Sequence, residues 1–268
     1  MTYIRPDGWG VGVGPQGFVG KEHLLPGFLA DLRPAWWYNW SPFLWVPDVH
    51  PGYIPMLWSG REATESNTEQ LRATLATHPK RIWQFLNEPE NKKQANISEK
   101  DAFEGLKAFL SLAWEIGVEG QYAAPGVEMK PEGLRWAENF FKLCRGHFLH
   151  RPAYVTVHCY LNGRLEQNRE NWDAMWNAFW RFHATWTPAT PVVVTEVCAV
   201  NHSNDKQRVI MDLAREMLET DSRVVGVAWF CANDGPENPF PNSSLSLYDP
   251  ATDSVSLTPL GEYWKSLR

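Results

Sequence analysis

Two glutamates far apart in the chain carry residue types and settings suited to chemistry. Glu88 follows the run Arg81-Ile82-Trp83-Gln84-Phe85-Leu86-Asn87, which is apolar and of strand type until it stops at Asn87-Glu88-Pro89. Proline cannot donate to a sheet ladder and restricts the residue before it, so a strand is predicted to end at Asn87. Glu196 closes Pro191-Val192-Val193-Val194-Thr195-Glu196, whose three valines suit a strand buried on both faces. Asn87-Glu88-Pro89 alone reads equally well as a solvated turn, whereas a lone acid at the end of so buried a strand as 191–196 needs a reason. Two acids at the carboxyl ends of buried strands, where enzymes of parallel strands and helices place their chemistry, can cleave a glycosidic bond. One protonates the departing oxygen while the other, ionised, attacks the anomeric carbon. The assignment is Glu88 as acid/base and Glu196 as nucleophile. Asn87 is placed to hydrogen-bond a sugar 2-hydroxyl. His158 and Tyr160, ending the next strand, are placed to orient a carboxylate and keep it ionised.

The elements that must position these groups follow from alternating apolar runs and breakers. Strands are predicted over residues 9–14, 35–42, 53–60, 81–87, 118–124, 153–160, 191–196 and 224–230. Helices are predicted over 23–32, 66–77, 98–116, 131–145, 171–186, 205–219 and 257–267. Ser98-Glu99-Lys100-Asp101 has the form of a capping box, and Gly117 stops that helix. Read as eight strand–helix pairs, with seven helices assigned and none between residues 42 and 53, this order predicts an α/β fold, a (β/α)8 TIM barrel in a single compact domain over 1–268. Strands ~4.8 Å apart, tilted ~36°, put the fourth and seventh strands roughly 14 Å apart. Glutamates reaching inward ~4 Å each close that to ~6 Å, between the ~5 to 5.5 Å of retaining and the ~6.5 to 9.5 Å of inverting glycosidases.

Composition narrows the partners. The 268 residues carry 21% charged side chains and a net charge of -6, without a basic stripe for nucleic acid or an anionic membrane. Fifteen tryptophans exceed what a core requires; beyond those that fill the barrel–helix interface they suit the apolar faces of sugar rings or aromatic ligands, with sugars preferred. The expected partner is a neutral polysaccharide or oligosaccharide, the expected state a monomer, and no cofactor is expected. Met1 to Asp7 lacks an apolar signal core and no run approaches a membrane span, so the chain reads as soluble, secreted if a leader was removed and otherwise cytoplasmic. Gly12, Gly14 and Gly17 have nucleotide-loop spacing, but Pro15 interrupts them and no acidic ribose partner follows.

Asn87-Glu88-Pro89, His158-x-Tyr160, Thr195-Glu196 and Trp229-Phe230, on the fourth, sixth, seventh and eighth strands, resemble glycoside hydrolase clan A. With Trp37-x-Asn39-Trp40-Ser41-Pro42 and Pro55-Met56-x-Trp58, the chain is similar to glycoside hydrolase family 128, small barrels that cleave β-1,3-glucans. The resemblance implies a retaining mechanism, no metal, Trp229 as a floor for the sugar at the cleavage point, and site roles for Asn87, His158, Tyr160 and Asn39. Trp40 and Trp58 lie nearest the strand ends and are candidate subsites; Trp83 reads as packing. The expected activity is that of an endo-β-1,3-glucanase. Its rivals are a clan A enzyme on β-1,4-glucan, mannan or xylan, and a catalytically silent carbohydrate-binding barrel.

Competing readings attach to other residues. Cys144, Cys159, Cys198 and Cys231 contain no C-x-x-C pair and read as buried thiols. Three of them end neighbouring strands, but thiolates sharing an ion with a required nucleophile match no metal-site spacing. Glu90, Glu128, Asp234 and Glu237 read as solvated loop acids, the last two within reach of substrate.

Overall fold

Strands that are apolar on both faces must be covered on both, and the computed structural model resolves this with a ring. It describes residues 8–14, 18, 20–44, 52–63, 68–147, 151–161, 168–200, 203–233 and 242–268. Eight parallel strands are β1 (Gly8–Gly12), β2 (Trp36–Tyr38), β3 (Met56–Leu57), β4 (Trp83–Phe85), β5 in two pieces (Tyr122–Ala123 and Val127–Glu128), β6 (Val155–Leu161), β7 (Val192–Ala199) and β8 (Val224–Trp229). Neighbours pair in sequence order around the ring. Single bridges at Trp37–Tyr53 and Ala123–Tyr154 join β2 to the chain entering β3 and the first piece of β5 to the chain entering β6, and the second piece of β5 pairs with β6 through Val127–Val157 and Glu128–His158. β8 returns to β1 with Val227 opposite Trp9 and Trp229 opposite Val11, which closes the barrel.

Alternation along the strands sorts the side chains. Trp36, Tyr38, Ile54, Met56, Ile82, Ala123, Tyr154, Val193 and Ala228 fill the interior. Val11, Trp37, Val157, Val194, Val227 and Trp229 face the helices. The glycines of β1 are the spatial counterpart of the tryptophans. A Cβ on Gly10 would stand 2.3 Å from the Trp36 ring, and one on Gly12 would stand 2.6 Å from Trp40.

The outer layer is α1 (Leu25–Leu32), α2 (Thr68–Thr77), α3 (Glu99–Glu115), α4 (Pro131–Gly146), α5 (Asn168–Trp186), α6 (Asn204–Thr220) and α7 (Pro259–Ser266). Among the described residues no helix separates β2 from β3, so one of the eight expected pairs is not seen. Ser98 caps α3 as its sequence predicts, accepting from the Asp101 N–H at 3.2 Å while donating its hydroxyl to Asp101 Oδ2 at 2.7 Å. α3 buries Phe103, Leu106, Phe109 and Leu112. Phe109 meets the Trp83 ring at 5.6 Å, which makes Trp83 a packing residue.

Three elements depart from the sequence expectation. β5 starts later than residue 118 and is split by Pro125-Gly126, because proline has no N–H for the ladder. β7 runs three residues past Glu196. A hairpin, β9 (Ser246–Asp249) with β10 (Ser254–Leu257), fills the stretch between the last predicted strand and the last predicted helix, for which no element is predicted. The nucleotide-loop positions Pro15 and Gly17, and loop acids Asp234 and Glu237, lie outside the described residues. No helix among the described residues is long and apolar enough to cross a membrane.

Candidate active site

Glu88 is aimed by the end of β4. Asn87 bridges to Gly126, and the Glu88 N–H donates to Gly126 O at 2.7 Å. Leu86 and Glu88 hold φ of 64° and 43°, left-handed values that non-glycine residues seldom adopt, and so turn the carboxylate into the barrel mouth. Glu196 is aimed differently, from inside its strand. Val157 pairs with Val194 but His158 pairs with Glu196, so Thr195 is an extra residue on β7. Val194 and Val197 both face the helices, and the bulge turns Thr195 and Glu196 between them toward the axis.

The two acids meet. One oxygen of each carboxylate and Nδ1 of His158 all lie within 4.8 Å of one another, and all three residues are buried. His158 Nδ1 is 2.9 Å from Glu88 Oε1 and 3.6 Å from Glu196 Oε2. Glu88 Oε2 accepts from Asn91 Nδ2 at 2.9 Å. Glu196 Oε1 accepts the Trp40 indole N–H at 2.7 Å and lies 3.2 Å from the Tyr38 hydroxyl, while Oε2 accepts from Tyr160. Burial and the Glu196 charge raise both phenols well above their ordinary pKa, so they stay protonated donors.

Protons are shared unevenly across this cluster. Burial pushes His158 down, but the charges of Glu196 and Glu88 and the bond to Glu88 outweigh it and raise His158 to about 9. Burial pushes Glu88 up, yet its bond to His158 and the charges around it hold it below the usual carboxylate range. Glu196 is raised, because burial and the neighbouring Glu88 charge outweigh what its donors return.

Other predicted residues fall on both sides of the wall. Trp40, at φ 54°, packs its ring against Tyr38 and Phe230 at centroid distances of 4.7 and 5.6 Å. Trp58 is half-buried against the interior cluster, and its carbonyl accepts the Asn87 N–H at 3.0 Å. Asn87 is buried, with Nδ2 donating to Gln94 Oε1 at 3.2 Å and Oδ1 without a partner among the described residues. Asn39 instead staples the loop that carries Trp40. Its Nδ2 donates to Phe43 O, and its Oδ1 accepts from the Ser41 N–H and the Tyr53 hydroxyl.

Two expectations are corrected by the packing. Trp229 is not a sugar floor: its ring is fully buried in the barrel–helix layer and its N–H donates to Ser243 O at 2.8 Å. Strand alternation turns Trp229 outward, and Phe230, half-buried against Trp40 and Tyr160, takes the place beside the site. Glu90 is not a solvated acid. Its Oε1 accepts the Glu128 N–H at 2.8 Å, its Oε2 is buried without a partner among the described residues, and burial pushes its pKa up to about 7.

Sequence reasoning leaves Tyr38 open between core and subsite, and it missed Gly12 and Gly126 as parts of the site. A Cβ on Gly126 would stand 2.8 Å from His158 Nε2, so its signal is the Pro-Gly break in β5. Cys159 and Cys198 pack in the barrel–helix layer as buried thiols.

No curated protein matches the chain. Three solved structures share its fold over nearly its whole length. A GH128 (subgroup II) endo-β-1,3-glucanase from Pseudomonas viridiflava is 25% identical, with TM-score 0.68, covering 97% of this chain and 98% of that one. A subgroup I endo-β-1,3-glucanase from Amycolatopsis mediterranei, in complex with laminaritriose, is 18% identical with TM-score 0.71, covering 98% and 100%. A subgroup VI exo-β-1,3-glucanase from Aureobasidium namibiae is 17% identical with TM-score 0.71 and covers 98% of this chain. The sequence pattern of the family described as the glycosyl hydrolase catalytic core matches residues 28–264. With that match across most of its length and two buried acids meeting in one barrel mouth, the chain belongs to the glycosyl hydrolase catalytic core family.

Proposed function

We propose that the protein is an endo-acting, retaining glycosidase of β-1,3-glucan, with Glu88 as acid/base and Glu196 as nucleophile. The observation that carries this reading is the approach of the two carboxylates, with oxygens within 4.8 Å. So close an approach of single oxygens favours the ~5 to 5.5 Å carboxyl spacing of direct attack on an anomeric carbon over the ~6.5 to 9.5 Å that leaves room for a water. Trp40, Tyr38 and Tyr160 surround Glu196 with neutral donors. A carboxyl holding its own proton has less use for three donors than the ionised nucleophile does. The substrate class follows the solved relatives, named as β-1,3-glucanases.

Glu88 draws its proton along the 2.9 Å bond from His158. As a glycan displaces water the ion pair loses solvation, and the proton moves from Nδ1 to Oε1. Glu88 donates it to the departing oxygen, the C–O bond breaks, and Glu196 bonds to the anomeric carbon. Water then cleaves that ester as Glu88 takes the water's proton. The unpartnered Asn87 Oδ1 accepts a sugar hydroxyl, and Trp40 and Trp58 offer ring faces.

A second reading exchanges the two roles, since Glu88 ionises more readily than Glu196 as the site stands. One experiment addresses both. Product NMR is expected to show the retained β anomer, and a 2-fluoro glucoside is expected to leave its adduct on Glu196. An inverted product overturns retention, and an adduct on Glu88 exchanges the roles. Cleavage of β-1,4-glucan, mannan or xylan in place of laminarin overturns the substrate class, and release of single glucose units only overturns endo action.

A further inference from the structure

One group that touches Glu88 has no part in the proton path from His158. Asn91 stands in the turn that leaves β4, and both its main chain and its side chain return to the acid. Its N–H donates to Glu88 O at 3.0 Å, and its Nδ2 donates to Glu88 Oε2 at 2.9 Å. The amide is held in one orientation. Oδ1 accepts the Lys93 N–H at 3.0 Å, a bond that an NH₂ group could not make, so Nδ2 is the atom turned to Glu88. Around it the turn is tied by the Gln94 N–H on Asn91 O at 2.9 Å and the Ile97 N–H on Pro89 O at 3.0 Å.

The two oxygens of Glu88 therefore differ. Oε1 lies 2.9 Å from His158 Nδ1, a nitrogen that is itself 3.6 Å from Glu196 Oε2, so Oε1 is on the side of the nucleophile. Oε2 is on the side of the turn. An oxygen that carries a proton accepts a hydrogen bond less well than one that does not, so a fixed donor on Oε2 favours the acid with its proton on Oε1.

We propose that Asn91 selects the oxygen of Glu88 that carries the catalytic proton, keeping it on Oε1, the side nearer Glu196. The proposal rests on Glu88 being the acid. Asn91 is a positioning residue that acts through Glu88. Its bond to Oε2 also strengthens as Glu88 gives up the proton and becomes charged, so it helps the donation itself.

The test measures kcat/KM for Asn91→Ala and Asn91→Asp on laminarin and on a dinitrophenyl laminaribioside, whose leaving group departs without a proton. Glu88→Ala is measured alongside, and thermal melting checks the fold. Asn91→Asp keeps an acceptor for the Lys93 N–H, and with it the turn, but sets an acceptor against Oε2 where the amide donated. Asn91→Ala is expected to lose about tenfold on laminarin and far less on the aryl substrate. Asn91→Asp is expected to lose at least as much, with the same split between substrates and KM for laminarin little changed. An Asn91→Asp variant as active as wild type overturns the proposal, because it would make Asn91 a former of the turn alone. Equal losses on the two substrates overturn it as well. If Glu88→Ala is itself impaired equally on both, the acid reading fails, a result distinct from a Glu88→Ala that discriminates between substrates while the Asn91 variants do not.

Discussion

The two acids stand against walls of opposite character. Glu196 is held by the indole of Trp40 and the phenols of Tyr38 and Tyr160, groups that donate but do not titrate near neutral pH. Glu88 is held by the titratable His158 and by the Asn91 amide, with the half-buried Glu90 and the Lys130–Glu128 ion pair close by. A fixed set of neutral donors suits a carboxylate that must stay charged while it attacks. A titrating partner suits one that must give up a proton and take it back. The environment, more than the residue type, separates two identical side chains.

The sharpest way to break that contrast is Glu88→Ala. Hydrolysis of natural glucan is expected to fall about 10²- to 10⁴-fold, while aryl glucosides with good leaving groups, which need no proton, lose far less. Equal losses on both substrates would remove Glu88 from the acid role. On the other wall, Tyr160→Phe deletes one donor to a charged acceptor, worth ~1.5 to 3 kcal/mol. The expected outcome is a kcat about 10- to 100-fold lower with KM little changed; a loss confined to KM would make Tyr160 a binding residue.

A smaller effect is expected from Gly12→Ala, whose methyl would collide with the Trp40 ring. Overpacking costs about 1 to 3 kcal/mol, and displacement of Trp40 is expected to lower kcat about tenfold per folded molecule. Gly10→Ala, which strikes Trp36 instead, is the control: it is expected to lose stability with kcat intact. The finest distinction is electrostatic. Glu90 binds its proton more tightly when folded, at about 7 against 4.5, so the folded state loses stability as pH rises through that interval. Glu90→Gln is expected to flatten denaturant midpoints between pH 4.5 and 7. A midpoint curve identical to wild type would place Glu90 in solvent.

Much of this was readable before any coordinates. The strand order, the ends of the helices and the pairing of Glu88 with Glu196 follow from apolar period, from Ser98 and Gly117, and from polar residues closing buried runs. What periodicity missed was which face a residue takes after an irregularity. The extra residue at Thr195 let β7 continue past Glu196, and plain alternation turned Trp229 into the helix layer, leaving Phe230 at the mouth. The parts played by Tyr38 and Gly12 were illegible for another reason. Their importance lies in meeting side chains from β7 and from the loop after β2, which no local pattern records. Asn39 was placed in the right loop, but its three hydrogen bonds stabilise that loop.

Trp40, Leu86 and Glu88 all take left-handed backbone values, and two of them are aimed at the reacting atoms. Such conformations cost roughly 1 to 2 kcal/mol apiece for ordinary residues. A population of variants screened for heat resistance alone would therefore enrich glycine or asparagine at Trp40 and Glu88, and would discard hydrolysis in the process, whereas Leu86 is kept by the core its side chain fills. Durability and turnover in this fold are set against each other at two known backbone angles.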